Sequence, residues 1–127
     1  MTGKELFESA LDLCGLRKTD GKLPNDVSDL EQRALSLINI LLAENSILDC
    51  RIGKKKHEVY SITSLSQAVP LCDIVQNRVL PYGLARLLLL GEDDNLASDM
   101  NRLYNEARAE ALGFGKPKVE PIAEVYK

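Results

Sequence analysis

VLPYGLARLLLLGEDD, residues 79–94, sets four consecutive leucines, Leu87 to Leu90, behind a proline and closes on three acids. A surface helix needs an apolar stripe on one side only. Four leucines in succession cover every side of a turn, so other structure must surround this segment. It belongs at the centre of a helical bundle, or partly against a neighbouring copy that covers what the protomer leaves bare. Pro81 has no backbone donor, which predicts a short helix ending near Leu80 and a new one with Pro81 in its first turn. Leu84, Leu87 and Leu88 share one face of that helix, Leu89 and Leu90 reach round its sides, and Gly91 stops it.

Helical patterns lie on both sides. Downstream, Asp93 or Asp94 caps a last helix whose Leu96, Met100, Leu103, Tyr104, Ala107 and Ala111 form an amphipathic stripe, ending at Gly113 as a left-handed cap would. Upstream, Asp73 opens a short helical stretch with Ile74, Val75 and Val79 inward. Thr2 and Glu5 have capping-box spacing, and Leu6, Phe7, Ala10, Leu11, Leu13 and Cys14 carry a first helix to about Gly15. The polar segment RKTDGKLPND, residues 17–26, reads as a loop. Ser28 and Glu31 repeat the capping-box spacing before a second helix that reaches Asn45, with Leu30, Ala34, Leu37, Ile38 and Leu41 on its apolar face. Ile40 falls near the polar side made by Arg33, Ser36 and Asn39, as a contact residue or a lone exposed apolar side chain.

Residues 46–69, SILDCRIGKKKHEVYSITSLSQAV, lack helical periodicity. They read as a long irregular connector, in which ILDCRI and HEVYSI can pair across Gly53 to Lys56 as a short β-hairpin. A connector of this length has a job or is mobile. After Gly113, FGKPKVEPIAEVYK has two prolines and reads as an extended arm, residues 114–127, with Phe114, Val119, Ile122 and Tyr126 as its apolar anchors. The expected fold is all-α: a small four- to five-helix bundle in a single domain, residues 1–113, with the connector at 46–69 and a C-terminal arm.

Composition narrows the classes of function. At 127 residues, 45% apolar and 28% charged, the chain suits one globular domain. A net charge of −3 gives no long-range pull toward nucleic acid or an acidic membrane. Three widely spaced cysteines, Cys14, Cys50 and Cys72, argue against a secreted disulfide framework and for a reducing cytoplasm. The amphipathic start MTGKELFESA is no signal peptide, and the leucine run is far short of the roughly 20 residues that a span needs.

No catalytic pattern emerges. RIGKKKH, residues 51–57, places Arg51, Lys54, Lys55 and Lys56 with His57 and no acid, which is either a solvated loop tip or a non-specific phosphate contact. His57 is the only histidine, and its distance in sequence from Cys50 and Cys72 argues against a metal site or a nucleophile–base pair. Glu92, Asp93, Asp94 and Asp99 lack the alternation of a calcium loop, and the isolated glycines form no phosphate cradle. The expectation is a protein without enzymatic activity, metal or cofactor, acting through its surfaces.

One resemblance is carried by four features in order: a helix ending LLAEN, an extended ITSL segment, LPYGLARLLL, and an acidic turn leading into NRLYNEARAE. Over about residues 28–112 the chain resembles the head-to-tail connector, or neck adaptor, proteins of tailed bacteriophages and prophages. The first helix and the loop through Pro24 fall outside it. The resemblance implies a virion component assembled in the bacterial cytoplasm: a head-to-tail homo-oligomeric ring between portal and tail, docking neck or tail proteins and contributing to the DNA channel. On that reading Arg51, Lys54, Lys55 and Lys56 contact passing DNA or the channel. Ile40, Leu89, Leu90, Phe114, Val119, Ile122 and Tyr126 are candidates for the subunit interface. The alternative is a small cytoplasmic regulator that binds nucleic acid through the basic loop 51–57.

Overall fold

The leucine-rich segment is a helix, Leu80–Leu89, and its neighbours bury it. The computed structural model describes residues 1–15 and 27–115. In chain order the helices are α1 (Gly3–Cys14), α2 (Val27–Glu44), α3 (Ser46–Gly53), α4 (Leu80–Leu89) and α5 (Asp94–Gly115), with a π-helical turn, Val75–Val79, directly before α4. Helix α4 packs on α1, α2, α5 and the π turn, so its leucines meet structure on most sides. Leu84, Ala85 and Leu88 are buried, Leu87 is half-buried, and Leu90 is 56% exposed. Leu89 is only 4% exposed, so its expected place at a subunit interface is corrected: the protomer's own core takes it.

Gly83 explains how closely the layers approach. A Cβ there would lie 2.8 Å from both Leu41 Cδ2 and Tyr104 Cε1, so only glycine lets α2 and α5 close on α4 at this level.

Helix α1 begins as its capping box implies. The Glu5 N–H donates to Thr2 Oγ1 and the Thr2 N–H to Glu5 Oε1, each at 3.1 Å. Further donors at this helix start meet the connector, with Gly3 N–H on the Gln67 carbonyl at 3.0 Å and Lys4 N–H on that of Leu65 at 2.8 Å. Gly15 closes the helix in a left-handed conformation, φ 70°. Helix α2 starts at Val27, so Ser28 lies inside its first turn rather than before it.

Residues 46–53 differ from expectation. They form α3, which removes ILDCRI from any hairpin, and no strand occurs among the described residues. The periodicity misleads because α3 turns polar groups inward: Ser46 and Asp49 are buried while Ile47 is 56% exposed. Lys54 ends the helix in a left-handed conformation, φ 52°, with its N–H on the Cys50 carbonyl. Beyond it the connector is held by side chains instead of a strand partner. Asn39 accepts the Ile62 N–H at 2.8 Å and donates to the Ile62 carbonyl at 2.9 Å, satisfying both backbone groups. Buried Gln76 donates to the carbonyls of Val69 and Leu71.

Pro81 stands in the first turn of α4, as its missing donor requires, but the chain does not break before it. The helix widens instead, with the Leu80 N–H reaching the Val75 carbonyl, and the π turn absorbs the interruption in the α ladder. Gly91, φ 86°, follows the end of α4. Asp93 caps α5 by accepting the Leu96 N–H at 3.0 Å. Helix α5 runs on to Gly115 because Gly113 does not take the expected left-handed conformation. Residues 114–115 are therefore helical rather than part of an arm; the loop at 17–26 and residues 116–127 lie outside the described residues.

Candidate functional site

Cys14 and His57 lie far apart, whereas Cys72 sits beside Asp49 and Lys55. Cys14 is buried at the α1–α4 contact, where its thiol lies 3.8 Å from the Ala85 carbonyl and burial pushes its pKa up to about 11. Burial likewise raises the Cys72 thiol. His57 is exposed and bonds Ser46 Oγ at 2.9 Å. Among the described residues no three His, Cys, Asp or Glu side chains come together to hold a metal ion. No helix of those residues is long and apolar enough to cross a membrane.

The basic segment does not act as one patch. Arg51, Lys54 and Lys56 are exposed, whereas Lys55 folds back onto the buried Asp49 with Nζ 2.8 Å from Oδ2. Its ammonium also sits 5.2 Å from the centre of the Tyr60 ring. The Asp49 hydrogen bond is the main reason the Lys55 pKa is raised. Asp49 accepts the Cys72 N–H at 2.7 Å as well, so the Asp49–Lys55 pair fastens both ends of the connector to α3.

A second polar centre joins α2, α4 and α5. Tyr104 is fully buried, donates its hydroxyl proton to Glu44, and accepts from Asn45 Nδ2 at 2.9 Å. Arg86 reaches Glu44 Oε1 at 3.2 Å and Asn101 Oδ1 at 3.2 Å. The guanidiniums of Arg86 and Arg108 stand 4.6 and 5.5 Å from the Tyr104 ring centre. Burial first, then the Glu44 hydrogen bond, raises the Tyr104 pKa. The amphipathic stripe puts Tyr104 inward, but its partners come from two other helices and no local spacing announces them.

What the surface offers is grooves on two flanks of α5. On one flank, an open groove of about 310 Å³ between α3 and α5 is lined by Ile47, Leu48, Arg51, Arg108, Ala109 and Leu112, with Glu44 at its edge. A second depression of about 450 Å³, between α4 and α5, includes Leu87, Leu90, Ala97, Ser98 and Asn101. Ala97, Ser98 and Asn101 precede Arg108, Ala109 and Leu112 by eleven residues each, about three helical turns, so both depressions follow the same side of α5. On the other flank, Tyr82, Leu103 and Ala107 line a depression of about 350 Å³ that shares Asn77 and Tyr82 with one beside α1.

Of the expected interface residues, Ile40 is 51% exposed on α2 and Leu90 borders the α4–α5 depression. Leu89 is buried, and the Phe114 side chain, Val119, Ile122 and Tyr126 lie outside what the structure describes. Ile47, which sequence reasoning missed, is as exposed as Leu90. The signal was an isoleucine beside a polar inward register, visible only once 46–53 is known to be helical. The fold and its surfaces define a small helical protein with grooves and, among the described residues, no three His, Cys, Asp or Glu side chains placed to hold a metal ion. No family model, no curated protein and no solved structure matches the chain.

Proposed function

We propose that this protein is a structural component of a phage or prophage head-to-tail connector, assembling as a ring between portal and tail. The observation that carries the reading is the pair of unlike grooved flanks on α5. A closing ring needs a heterologous interface, in which one face of a protomer fits a different face of the next. Two different partly apolar flanks on one helix suit that geometry. The resemblance over residues 28–112 names the particle in which such a ring would sit. Lys54 and Lys56 then act as non-specific phosphate contacts for DNA in the channel, Arg51 lining the α3–α5 groove instead, and the ring's other partners are portal and tail or neck proteins.

The test is electron microscopy of the full-length chain co-purified with a portal protein from the same genome. Rings capping the portal are expected. A chain that stays monomeric and unbound at high concentration with the portal present overturns the assignment.

A further inference from the structure

The α3–α5 groove has a composition that calls for a particular occupant. Its floor is apolar, from Leu48, Ala109 and Leu112, and Ile47 stands beside it 56% exposed. Its charged rim is unbalanced. Glu44 at the edge is already engaged by Arg86 and Tyr104, whereas Arg51 and Arg108 meet no carboxylate among the described residues. The Arg108 Nη2 donates only to the Glu44 backbone carbonyl at 3.3 Å, and its Nε is buried without a partner. Two cations over an apolar floor favour an extended peptide that alternates apolar and acidic side chains.

The chain carries such a peptide at its own end. Within residues 116–127, KPKVEPIAEVYK, the central stretch 119–126 holds Glu120 and Glu124 among Val119, Ile122, Val125 and Tyr126 and has no basic residue, while Lys116 and Lys118 precede it and Lys127 follows it. Pro117 and Pro121 disfavour helix and preset extended backbone, which lowers the entropy lost on docking. This segment follows α5 just past Leu112, at the end of the groove, and its twelve residues can reach about 40 Å when extended. In a closing ring one face of a copy meets a different face of the next, which makes the host groove the neighbour's.

We propose that residues 116–127 of one copy bind in the α3–α5 groove of the next copy, with Glu120 and Glu124 facing Arg51 and Arg108. This rests on the ring reading for its biological setting, but the contact can be measured without a portal. It makes the α3–α5 groove one half of the heterologous interface and the C-terminal segment the other half.

The experiment uses the full-length chain with a photo-crosslinking p-benzoylphenylalanine in place of Ile122, in an equal mixture of isotopically light and heavy copies at millimolar concentration. Crosslinks between light and heavy copies that map to residues 47–51 and 108–112 are expected. Arg51→Glu, at an exposed position that should leave the helical circular dichroism unchanged, should lower their yield about tenfold. Mixing Arg51→Glu copies with copies carrying Glu120→Lys and Glu124→Lys should restore them. Crosslinks confined to single copies, crosslinks mapping elsewhere, or no crosslink between copies would each overturn the proposal. Rings on the portal together with crosslinks elsewhere would sink this contact and leave the ring assignment standing.

Discussion

Tyr104 on α5 donates its hydroxyl proton to Glu44 at the end of α2, while Arg86 on α4 reaches the same carboxylate at 3.2 Å. Three helices thus share one polar knot between the two depressions on that flank of α5. Replacing Tyr104 by Phe takes the hydroxyl from buried Asn45, whose Nδ2 keeps only the Leu41 carbonyl, and removes a donor from the exposed Glu44, which keeps Arg86. The expected cost is about 1–3 kcal/mol. Urea denaturation should show a lower midpoint with an unchanged slope; an unchanged midpoint would mean that water replaces the hydroxyl.

The same tyrosine sets a pH dependence. Its folded-state pKa is raised above the ordinary value near 10, so in alkali the unfolded chain loses this proton before the folded one does. Its contribution to stability is complete below about pH 10 and is lost as pH climbs from there toward the higher folded-state value. Denaturation midpoints measured from pH 8 upward should fall more steeply for the natural chain than for Tyr104→Phe. Parallel curves would contradict this.

Gly83→Ala sets two effects against each other. Alanine gains about 1 kcal/mol of helix propensity over glycine. Its methyl would lie 2.8 Å from Leu41 Cδ2 and Tyr104 Cε1, and overpacking of that kind costs about 1–3 kcal/mol. Net destabilisation is expected, read as a lower thermal midpoint. A higher midpoint would show that α5 can move away at little cost.

The clasp on the connector should respond unequally to its two halves. Asp49→Ala removes the acceptor for the Cys72 N–H as well as the Lys55 partner, and should cost about 1.5–3 kcal/mol with faster hydrogen exchange over residues 55–72. Lys55→Ala removes a partner that is 40% exposed, so screening should hold its effect below about 1 kcal/mol. Equal losses would mean that the ion pair, not the Cys72 hydrogen bond, fastens the connector.

Adjacent leucines separate folding from assembly. Leu90→Asp adds a charge to a residue that is 56% exposed and should leave the unfolding midpoint almost unchanged while weakening association in sedimentation experiments. Leu89→Asp puts the charge in the core and should prevent folding. Association that survives Leu90→Asp intact would remove the α4–α5 depression from the interface.

The basic segment can be examined through salt. Generic duplex DNA should bind weakly, and replacing Lys54 and Lys56 together by Ala should flatten the dependence of log affinity on log salt by about 0.9 per lost contact. Lys55→Ala alone should alter the slope less, because that ammonium already faces Asp49. An unchanged slope in the double variant would place any DNA contact elsewhere.

Where the signal is local, the sequence was sufficient by itself. The Thr2–Glu5 capping box, the glycine after α1, Pro81 in the first turn of α4, and the inward stripe through Met100, Tyr104 and Ala111 all follow from residues within a few turns of one another. A buried leucine helix is legible in the same way, because four consecutive leucines leave no polar side to expose. Only the tertiary structure decided that 46–53 is helical, that Leu89 is buried while Leu90 is not, and that Tyr104, Glu44 and Arg86 meet. Helix α3 satisfies its buried Asp49 with a backbone N–H 23 residues away and a lysine beyond its own end, so its apolar periodicity is erased. Periodicity reports which side of an element is apolar. It cannot report a polar interior whose partners arrive from distant parts of the chain.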